Sequence, residues 1–245
     1  MVRKFVSMLL VLCVLPGIAL AQEAHSLLSI FVAYTDLRMR SIEQSLEIVA
    51  STREAESGNW NEVQGLLKGY QKSEQGIILW YALPSGHYYT VDKGLMAEKL
   101  NKRSYFPDLM AGRNIVGSLV ISKSTGRRSA VIGVPLKKNG KVIAAVGASI
   151  FLDVLSSRIS SILALDETTS FFALAPNGLT ALHSKTDRNF LDPRELGSET
   201  LKQAAEVMLS KESGEVSYEF DKTTKHAVFA TSPLTHWKFA ITRSR

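Results

Sequence analysis

The sequence predicts an α+β fold in which a long N-terminal helix is followed by two tandem modules, each an antiparallel sheet flanked by helices. Two observations support this prediction. Apolar residues near the N-terminus recur at the spacing of one helix face, and the same two strand-turn-strand patterns then occur, in the same order, in each half of the chain. Segregation of a helix from sheets in this way is typical of α+β rather than alternating α/β proteins.

The first residues are typical of an export signal. Arg3 and Lys4 precede an apolar run from Phe5 to Leu20, and Ala19-Leu20-Ala21 has the small-x-small pattern of a signal-peptide cleavage site. We therefore expect residues 1–21 to be a signal peptide and the mature protein to begin at Gln22 in the periplasm. The alternative is an uncleaved anchor in the inner membrane, although the run is shorter than the roughly 20 apolar residues that a spanning helix needs.

Composition excludes several kinds of site. The only cysteine is Cys13 in the leader, so the mature chain has no disulfide, no thiolate metal site and no cysteine nucleophile. Residues 22–152 carry 16 Lys and Arg against 11 Asp and Glu, whereas residues 153–245 carry 11 against 12. This mild positive bias suits small anions, or is ordinary solvated surface, and lacks the dense basic stripe of a nucleic-acid binder. We expect no nucleic-acid partner and no cofactor.

Residues 22–75 are expected to form a helical spine. Apolar positions alternate spacings of four and three, interrupted only by a threonine, at Leu28, Val32, Thr35, Met39, Ile42, Leu46 and Val49. The pattern ends at "SGNW", and a second short helix is expected in "WNEVQGLLKGY". Such a seam either packs along the chain's own sheets or forms a homodimer contact. We expect the first and keep a homodimer through this helix as the alternative.

Strand patterns repeat in the two halves. "WYALPSGHYYTV" is matched by "FFALAPNGLTAL", and "AVIGVPLKKNGKVIAAVGAS", with Asn139-Gly140 at a hairpin turn, is matched by "AVFATSPLTHWKFAITRS". In each member of the second pair, a strand reaches Pro-Leu, turns and returns. We interpret the two ordered matches as an internal duplication. The predicted modules are residues 76–152 and the smaller 166–245, joined by a linking helix at 153–165.

From about Trp80 to Asp153, the chain resembles the double Cache family of extracytoplasmic sensor domains, whose modules are PAS-like. The resemblance rests on "ILWYALPSGHYYTVDKG", "NKRSYFPDLMAG" and "GSLVISKSTGRRSAVIGVPLKKNGKVIAAVGASIFLD" in the family's order, whereas the second module matches in outline only. It implies a small-molecule sensor that binds its ligand in the first, membrane-distal-type module. Because neither a second span nor a signalling domain follows "HWKFAITRSR", we expect a free-standing member that signals through a membrane-bound partner protein.

The resemblance also implies ligand-binding residues. The pocket arginine of the family maps to Arg103, and Tyr105 and Phe106 follow as aromatic walls. A guanidinium pairs with a carboxylate through two parallel hydrogen bonds, which suits this role. The alternatives are a surface salt bridge for Arg103 and core packing for the aromatic residues.

Two aromatic residues on the neighbouring strands, Trp80 and Tyr89, are expected to close the pocket. Side chains alternate between the faces of a strand, so Trp80 or Tyr81 can face the pocket, but not both. We expect Trp80 to do so and Tyr89 to supply a hydroxyl.

The nature of the ligand is suggested by a missing charge. Amino-acid-binding members of the family have an aspartate in the last strand of this module, where it holds the ligand ammonium. Here Ala148 and Ser149 occupy that stretch, and Ser149 is the remaining candidate. The resemblance therefore implies a small carboxylate, such as a short organic acid, in preference to an amino acid.

No catalytic or metal motif is apparent. The sequence has no GxSxG nucleophile elbow, and no metal-ligand spacing such as HExxH occurs among its histidines: His25, His87, His183, His226 and His236. We expect a non-enzymatic protein without a metal site. The alternatives are a structural or protein-interaction module whose pocket is filled by its own side chains, and an exported hydrolase whose Ser, His and acidic residues meet only in space.

Overall fold

A computed structural model of the chain describes residues 16–244, and its side chains from Gln22 onward. The predicted signal peptide lies outside the described side chains, so its cleavage before Gln22 stays a prediction. None of the helices in the described part of the chain has the length and apolarity needed to span a membrane.

The chain is an α+β protein with one long helix and two antiparallel sheets, as the sequence predicts. The helices are α1 (Pro16–Ala50), α2 (Arg53–Glu56), α3 (Trp60–Ser73), α4 (Phe106–Met110), α5 (Leu152–Leu163) and α6 (Glu199–Ser210), with 3-10 turns at Thr186–Arg188 and Pro193–Glu195. The strands are β1 (Ile77–Ala82), β2 (Tyr88–Thr90), β3 (Gly94–Leu95), β4 (Ile115–Ile121), β5 (Arg128–Lys138), β6 (Lys141–Phe151), β7 (Thr169–Leu174), β8 (Thr180–His183), β9 (Ser213–Phe220), β10 (Thr223–Thr231) and β11 (Lys238–Ser244).

The two sheets have related strand orders. The first runs β3-β2-β1-β6-β5-β4 and the second β8-β7-β11-β10-β9, so in both a short hairpin lies beside the last strand of its own module. The same two backbone hydrogen bonds also close the first hairpin of each sheet. These bonds join Leu83 to His87 and Gly86 to Leu83 in the first turn, and Ala175 to Leu179 and Gly178 to Ala175 in the second, all at 2.8 Å. The first pair of matched segments therefore forms matching hairpins in the two sheets.

Each sheet has an inner face that packs against α1 and an outer face that does not. On β1, Leu79 belongs to the large core shared with α1, whereas Trp80 belongs to a separate cluster with α4. On β7, Phe171 joins the shared core and Phe172 packs on the other side, towards α6. Because successive side chains of a strand point to opposite faces, each strand contributes to both layers.

The α1 seam is an intramolecular contact. Leu28, Met39, Ile42 and Leu46 are buried in the core that spans both sheets. The buried hydroxyl of Thr35 donates to the carbonyl of Phe31, as a polar side chain in a core requires. A homodimer through this helix stays a prediction, and it would have to use a different face of α1.

Phe31, next to Val32 in α1, is buried although it was not among the predicted apolar positions of this helix. The ring of Phe31 is fully buried, and its centroid lies 4.8 Å from that of Phe171 and 4.7 Å from that of Phe239. Both pairs meet edge to face, the arrangement that the aromatic quadrupole favours. Phe31 therefore anchors α1 to the second sheet.

The second pair of matched segments differs between the modules. Asn139 and Gly140 both have positive φ, at 51° and 76°, and form the expected hairpin turn between β5 and β6. Pro135 lies inside β5, whereas its counterpart Pro233 lies in the turn between β10 and β11. The expected order of strand, Pro-Leu and turn therefore holds for the second module, while in the first the strand continues past the proline.

Candidate functional site

A small cavity lies on the outer face of the first sheet, with a volume of about 20 Å³. Four of the residues predicted from the sequence line it: Trp80, Arg103, Tyr105 and Ser149. Tyr88 of β2 also lines the cavity, as do three polar residues of the turn between β4 and β5, which are Ser122, Lys123 and Ser124. The site is thus formed where β1, β2 and β6 meet the segment that contains Arg103.

Trp80 lies flat on the sheet because a glycine faces it. Trp80 is paired with Gly147 on the neighbouring strand β6. A Cβ added to Gly147 would be 2.1 Å from the indole ring, much closer than van der Waals contact allows. The glycine in "AVGAS" therefore gives the indole room to form the floor of the cavity.

The first hairpin turn holds the Arg103 segment in place. The Leu100 amide donates to the Gly86 carbonyl at 2.8 Å, and the Arg103 amide donates to the Leu100 carbonyl at 2.8 Å. Gly86 has a φ of +85°, and a Cβ there would be 2.8 Å from the Asn101 backbone nitrogen. Glycine is required both for this conformation and for this close approach. The Pro-Ser-Gly turn and "NKRSYF" are thus parts of one structure.

Arg103 forms no ion pair with any described residue. One terminal nitrogen of its guanidinium donates to the Ile121 carbonyl at 2.6 Å, which orients the side chain towards the cavity. The surface salt bridge considered from the sequence is therefore not what this residue forms. Because a guanidinium has five donor hydrogens, others remain for a ligand.

Two tyrosine hydroxyls accompany this cation. Tyr88 is 3% exposed, and its hydroxyl has no hydrogen-bond partner of good geometry among the described residues. Burial raises the pKa of Tyr88, although the nearby Arg103 charge and the Ser124 hydroxyl lower it in part. Burial likewise raises the pKa of Tyr105, again opposed by Arg103. Both phenols are therefore neutral donors at physiological pH.

The mouth of the cavity carries a second cation. The Lys123 ammonium donates to a Glu98 carboxylate oxygen at 2.9 Å and to the Lys99 carbonyl at 2.8 Å. On the same turn, the hydroxyls of Ser122 and Ser124 lie 3.1 Å apart. Glu98 does not line the cavity, and neither does any other acidic residue in the described part of the chain. The polar part of the lining therefore consists of hydrogen-bond donors and cations, beside apolar residues such as Leu100 and Val120.

Two of the predicted residues, Tyr89 and Phe106, do not line this cavity. In the β1–β2 register Tyr89 pairs with Tyr81, so both point to the inner face, where the Tyr89 ring stacks on Trp60 at 5.1 Å. Tyr88 takes the place on the outer face that was expected for Tyr89. Phe106, at the start of α4, is 4% exposed and packs in the outer-face cluster. Phe106 packs in the same cluster as Trp80 and Tyr105 but does not line the cavity.

The described histidines form no recognisable catalytic group. His87 lies 3.0 Å from the Ser85 hydroxyl, and His226 lies 2.7 Å from that of Ser217, but neither imidazole pairs with a carboxylate in the described part of the chain. The described residues also contain no group of three or more His, Cys, Asp or Glu side chains placed to hold a metal ion.

No protein-family model and no curated protein sequence matches the chain, but solved structures do. The extracellular domain of rpHK1S-Z16, a protein assigned as a histidine kinase, has a TM-score of 0.76 at 18% identity, over 93% of this chain and 97% of that domain. The ligand-binding domain of the Pseudomonas aeruginosa PAO1 amino acid chemoreceptor PctB, in complex with L-Gln, has a TM-score of 0.73 at 16% identity, over 91% and 90%.

A third structure is the ligand-binding domain of the Pseudomonas fluorescens chemoreceptor CtaA in complex with L-isoleucine. Its TM-score is 0.67 at 15% identity, over 93% of this chain and 91% of that domain. In all three cases the match spans nearly the whole of both chains, so it includes the long helix and both sheets. The chain thus has the fold of the extracellular sensor domains of kinases and chemoreceptors, and the double Cache resemblance found in its sequence is confirmed in its architecture.

Proposed function

We propose that the protein is a periplasmic sensor module that binds a small carboxylate in the cavity beside Arg103 and signals through a membrane-bound partner protein. The observation that supports this proposal most is the set of groups around the cavity. Arg103, whose guanidinium has no carboxylate partner among the described residues, and Tyr88, whose buried hydroxyl has no hydrogen-bond partner of good geometry there, line the same cavity. Such groups are costly to leave unpaired, and a bound carboxylate would satisfy both.

The absence of an acidic group among the described lining residues supports a ligand without an ammonium. Ser149 lines the cavity, where the resemblance would have an aspartate nearby, and its hydroxyl cannot neutralise a cation. The similar chemoreceptor domains were solved with amino acids bound. Against that background, we propose an organic acid as the ligand of this chain.

We propose that the cavity beside Arg103 binds its ligand without catalysing a reaction. The cavity contains hydrogen-bond donors and cations but neither a nucleophile paired with a base nor a metal site in the described residues. We propose that its role is recognition, with transmission of the signal through a partner protein.

The volume of the cavity favours a second candidate function. About 20 Å³ is room for little more than a water molecule, so a carboxylate of three carbons can enter only if Arg103, Lys123 or the β4–β5 turn moves outward. Were these side chains to stay in place, the protein would be a structural or protein-interaction module whose pocket is filled by its own residues.

Calorimetric titration with matched ligands distinguishes these functions. Propionate, lactate, pyruvate and alanine share a three-carbon carboxylate, and alanine differs from lactate by an ammonium in place of a hydroxyl. We expect at least one of the three acids to bind and alanine to bind at least tenfold more weakly than lactate, because none of the described lining residues is acidic and could compensate its ammonium. Equal binding of lactate and alanine would refute the assignment to organic acids.

Failure of every compound in a wider panel of acids and amino acids would favour the structural module. Mass spectrometry of denatured, freshly purified protein is the control for a ligand that copurifies and blocks the site.

A further inference from the structure

The second sheet has its own cavity, and it is the larger of the two, at about 40 Å³. It lies on the outer face, between the β7–β8 hairpin, the ends of β9 and β10, and the segment that runs from the first 3-10 turn into α6. Phe172 lines it from β7, as Trp80 of β1 lines the first cavity. The two cavities are therefore on corresponding faces of the two modules.

Cationic side chains converge on this second cavity. Arg188 and Lys225 both line it, and no acidic residue of the described chain does. Arg188 pairs with Asp221 at 3.0 Å, but that carboxylate is 61% exposed and stands outside the lining. The Lys225 ammonium takes part in none of the ion pairs or hydrogen bonds found among the described residues. Burial and the Arg188 charge lower its pKa, and the charge of Asp221 opposes this in part.

His183 adds a neutral donor to these cations. Its Nδ1 accepts a hydrogen bond from the Lys185 amide at 2.8 Å, so the ring hydrogen is on Nε2. Burial, together with the nearby charges of Arg188 and Lys185, lowers the pKa of His183 to about 3. The imidazole is thus neutral at physiological pH and presents an N–H group.

The remaining walls are mostly apolar. The Phe220 ring lies under the Arg188 guanidinium at 5.0 Å, and leucines close the other side of the cavity at Leu191, Leu196 and Leu201. Tyr218 is buried, with its hydroxyl 3.5 Å from that of Thr242. The mostly apolar lining distinguishes this cavity from the first one, to which the β4–β5 turn contributes two serines and a lysine. A ligand here would need one anionic end and one apolar end. As in the first cavity, a volume of about 40 Å³ admits such a ligand only if lining side chains such as Arg188 or Lys225 move outward.

We propose that the second module contains a second ligand site, for a short aliphatic carboxylate whose charged end binds Lys225, Arg188 and His183 and whose hydrocarbon end packs against Phe172 and the leucines. The carboxylate supplies the counter-charge that Lys225 lacks, and the apolar walls select it over inorganic anions. The site does not involve Arg103, so it can be tested separately from the proposed function of the first module.

The test uses butyrate as the probe and the full chain carrying Arg103→Ala, which removes the proposed carboxylate-binding guanidinium of the first cavity. We expect this protein to bind butyrate, and binding to fall at least tenfold when Lys225→Gln is added. The matched control is Lys222→Gln, which removes the same charge from an exposed position of the same hairpin. It should change binding by less than about twofold, because exposed charges are strongly screened.

Two further compounds test the chemistry of the site. Butyramide has the same tail without the charge, and inorganic phosphate has charge without the tail, so both should bind at least tenfold more weakly than butyrate. The proposal is overturned if the Arg103→Ala protein does not bind butyrate, if Lys225→Gln and Lys222→Gln bind it equally, or if phosphate binds as well as butyrate. Thermal melts accompany the titrations: Lys225→Gln should not lower the melting temperature, since the replaced ammonium has no ion-pair or hydrogen-bond partner among the described residues.

Discussion

At the scale of single residues, His183 is a buried group whose protonation the fold opposes. The pKa of His183 is lowered from an ordinary value of 6.5 to about 3, mainly by burial and to a smaller extent by the neighbouring positive charges. Between these two pH values the unfolded chain binds a proton that the folded chain does not bind. Stability must therefore fall as the pH is lowered through this window.

This effect can be measured by urea unfolding at pH 7.5 and pH 5. The loss attributable to His183 at pH 5 should be about 2 kcal/mol, because each pH unit below the unfolded pKa costs about 1.4 kcal/mol. The variant His183→Gln should lose correspondingly less stability between the two pH values than the wild type does. His236→Gln, at an exposed position between β10 and β11, is the control and should keep the wild-type dependence. An unchanged dependence in His183→Gln would show that the imidazole protonates without unfolding.

Gly147 is a second residue with a defined role. Alanine there would place its Cβ 2.1 Å from the Trp80 indole, which would have to move into the cavity. We expect Gly147→Ala to cost about 1–3 kcal/mol of unfolding free energy, the usual range for overpacking, and to weaken ligand binding. Gly65→Ala, in α3, has open space around its Cβ and should instead stabilise the protein by about 1 kcal/mol. Urea unfolding of both variants tests this contrast, and equal stabilities would contradict it.

At the scale of elements, α1 is the support on which both sheets rest. Leu46 is fully buried in the shared core, whereas Leu37 on the same helix is 68% exposed. Leu46→Ala should therefore cost about 2–5 kcal/mol of unfolding free energy, and Leu37→Ala less than about 0.5 kcal/mol. Chemical denaturation of the two variants measures the difference. Similar losses would mean that the exposed side of α1 is also buried, as a homodimer through this helix would require.

Elements with a strong local pattern could be predicted from the sequence. The apolar spacing of α1, the Asn139-Gly140 hairpin and the repeated Pro-containing turn each depend on neighbouring residues, and all three are present. Phe31 was missed because the 4-3 series takes Val32 at this turn, whereas the structure buries Phe31 fully and Val32 only in part. Both residues lie about one turn from Leu28 and from Thr35, so the spacing alone does not decide which of them faces the core.

The choice between Tyr88 and Tyr89 shows the same limit within the site. Alternation correctly places Trp80 and Tyr81 on opposite faces, but the face of the next strand depends on how many residues the turn contains. The observed register pairs Tyr81 with Tyr89 and Ala82 with Tyr88, which brings Tyr88 to the same face as Trp80. A shift of one residue would reverse that outcome. The polar turn at Ser122–Ser124 was likewise missed as a wall, because only the tertiary fold brings it to Arg103.

At the scale of the whole molecule, the two modules are joined by specific contacts as well as by α1. The Trp237 indole nitrogen of the second module donates to the Gly117 carbonyl of the first at 3.2 Å, at a bulge in β4. The Ser232 hydroxyl donates to Asp36 of α1 at 2.7 Å. We therefore expect one cooperative thermal transition by calorimetry, with equal van 't Hoff and calorimetric enthalpies. Two separate transitions would contradict a shared core.

The binding of a ligand carboxylate by Arg103 is tested most directly by calorimetric titration of Arg103→Ala with the acid that the wild type binds tightest. The matched control is Arg113→Ala in the same module, an arginine whose exposed side chain pairs with Asp108 outside the cavity. We expect Arg103→Ala to lose about 2–5 kcal/mol of binding free energy, with wild-type folding by thermal melt, and Arg103→Lys to bind weakly because an ammonium cannot make the paired contact. Arg113→Ala should bind as the wild type does. Unchanged affinity in Arg103→Ala would contradict the account and show that this arginine only packs against the Ile121 carbonyl.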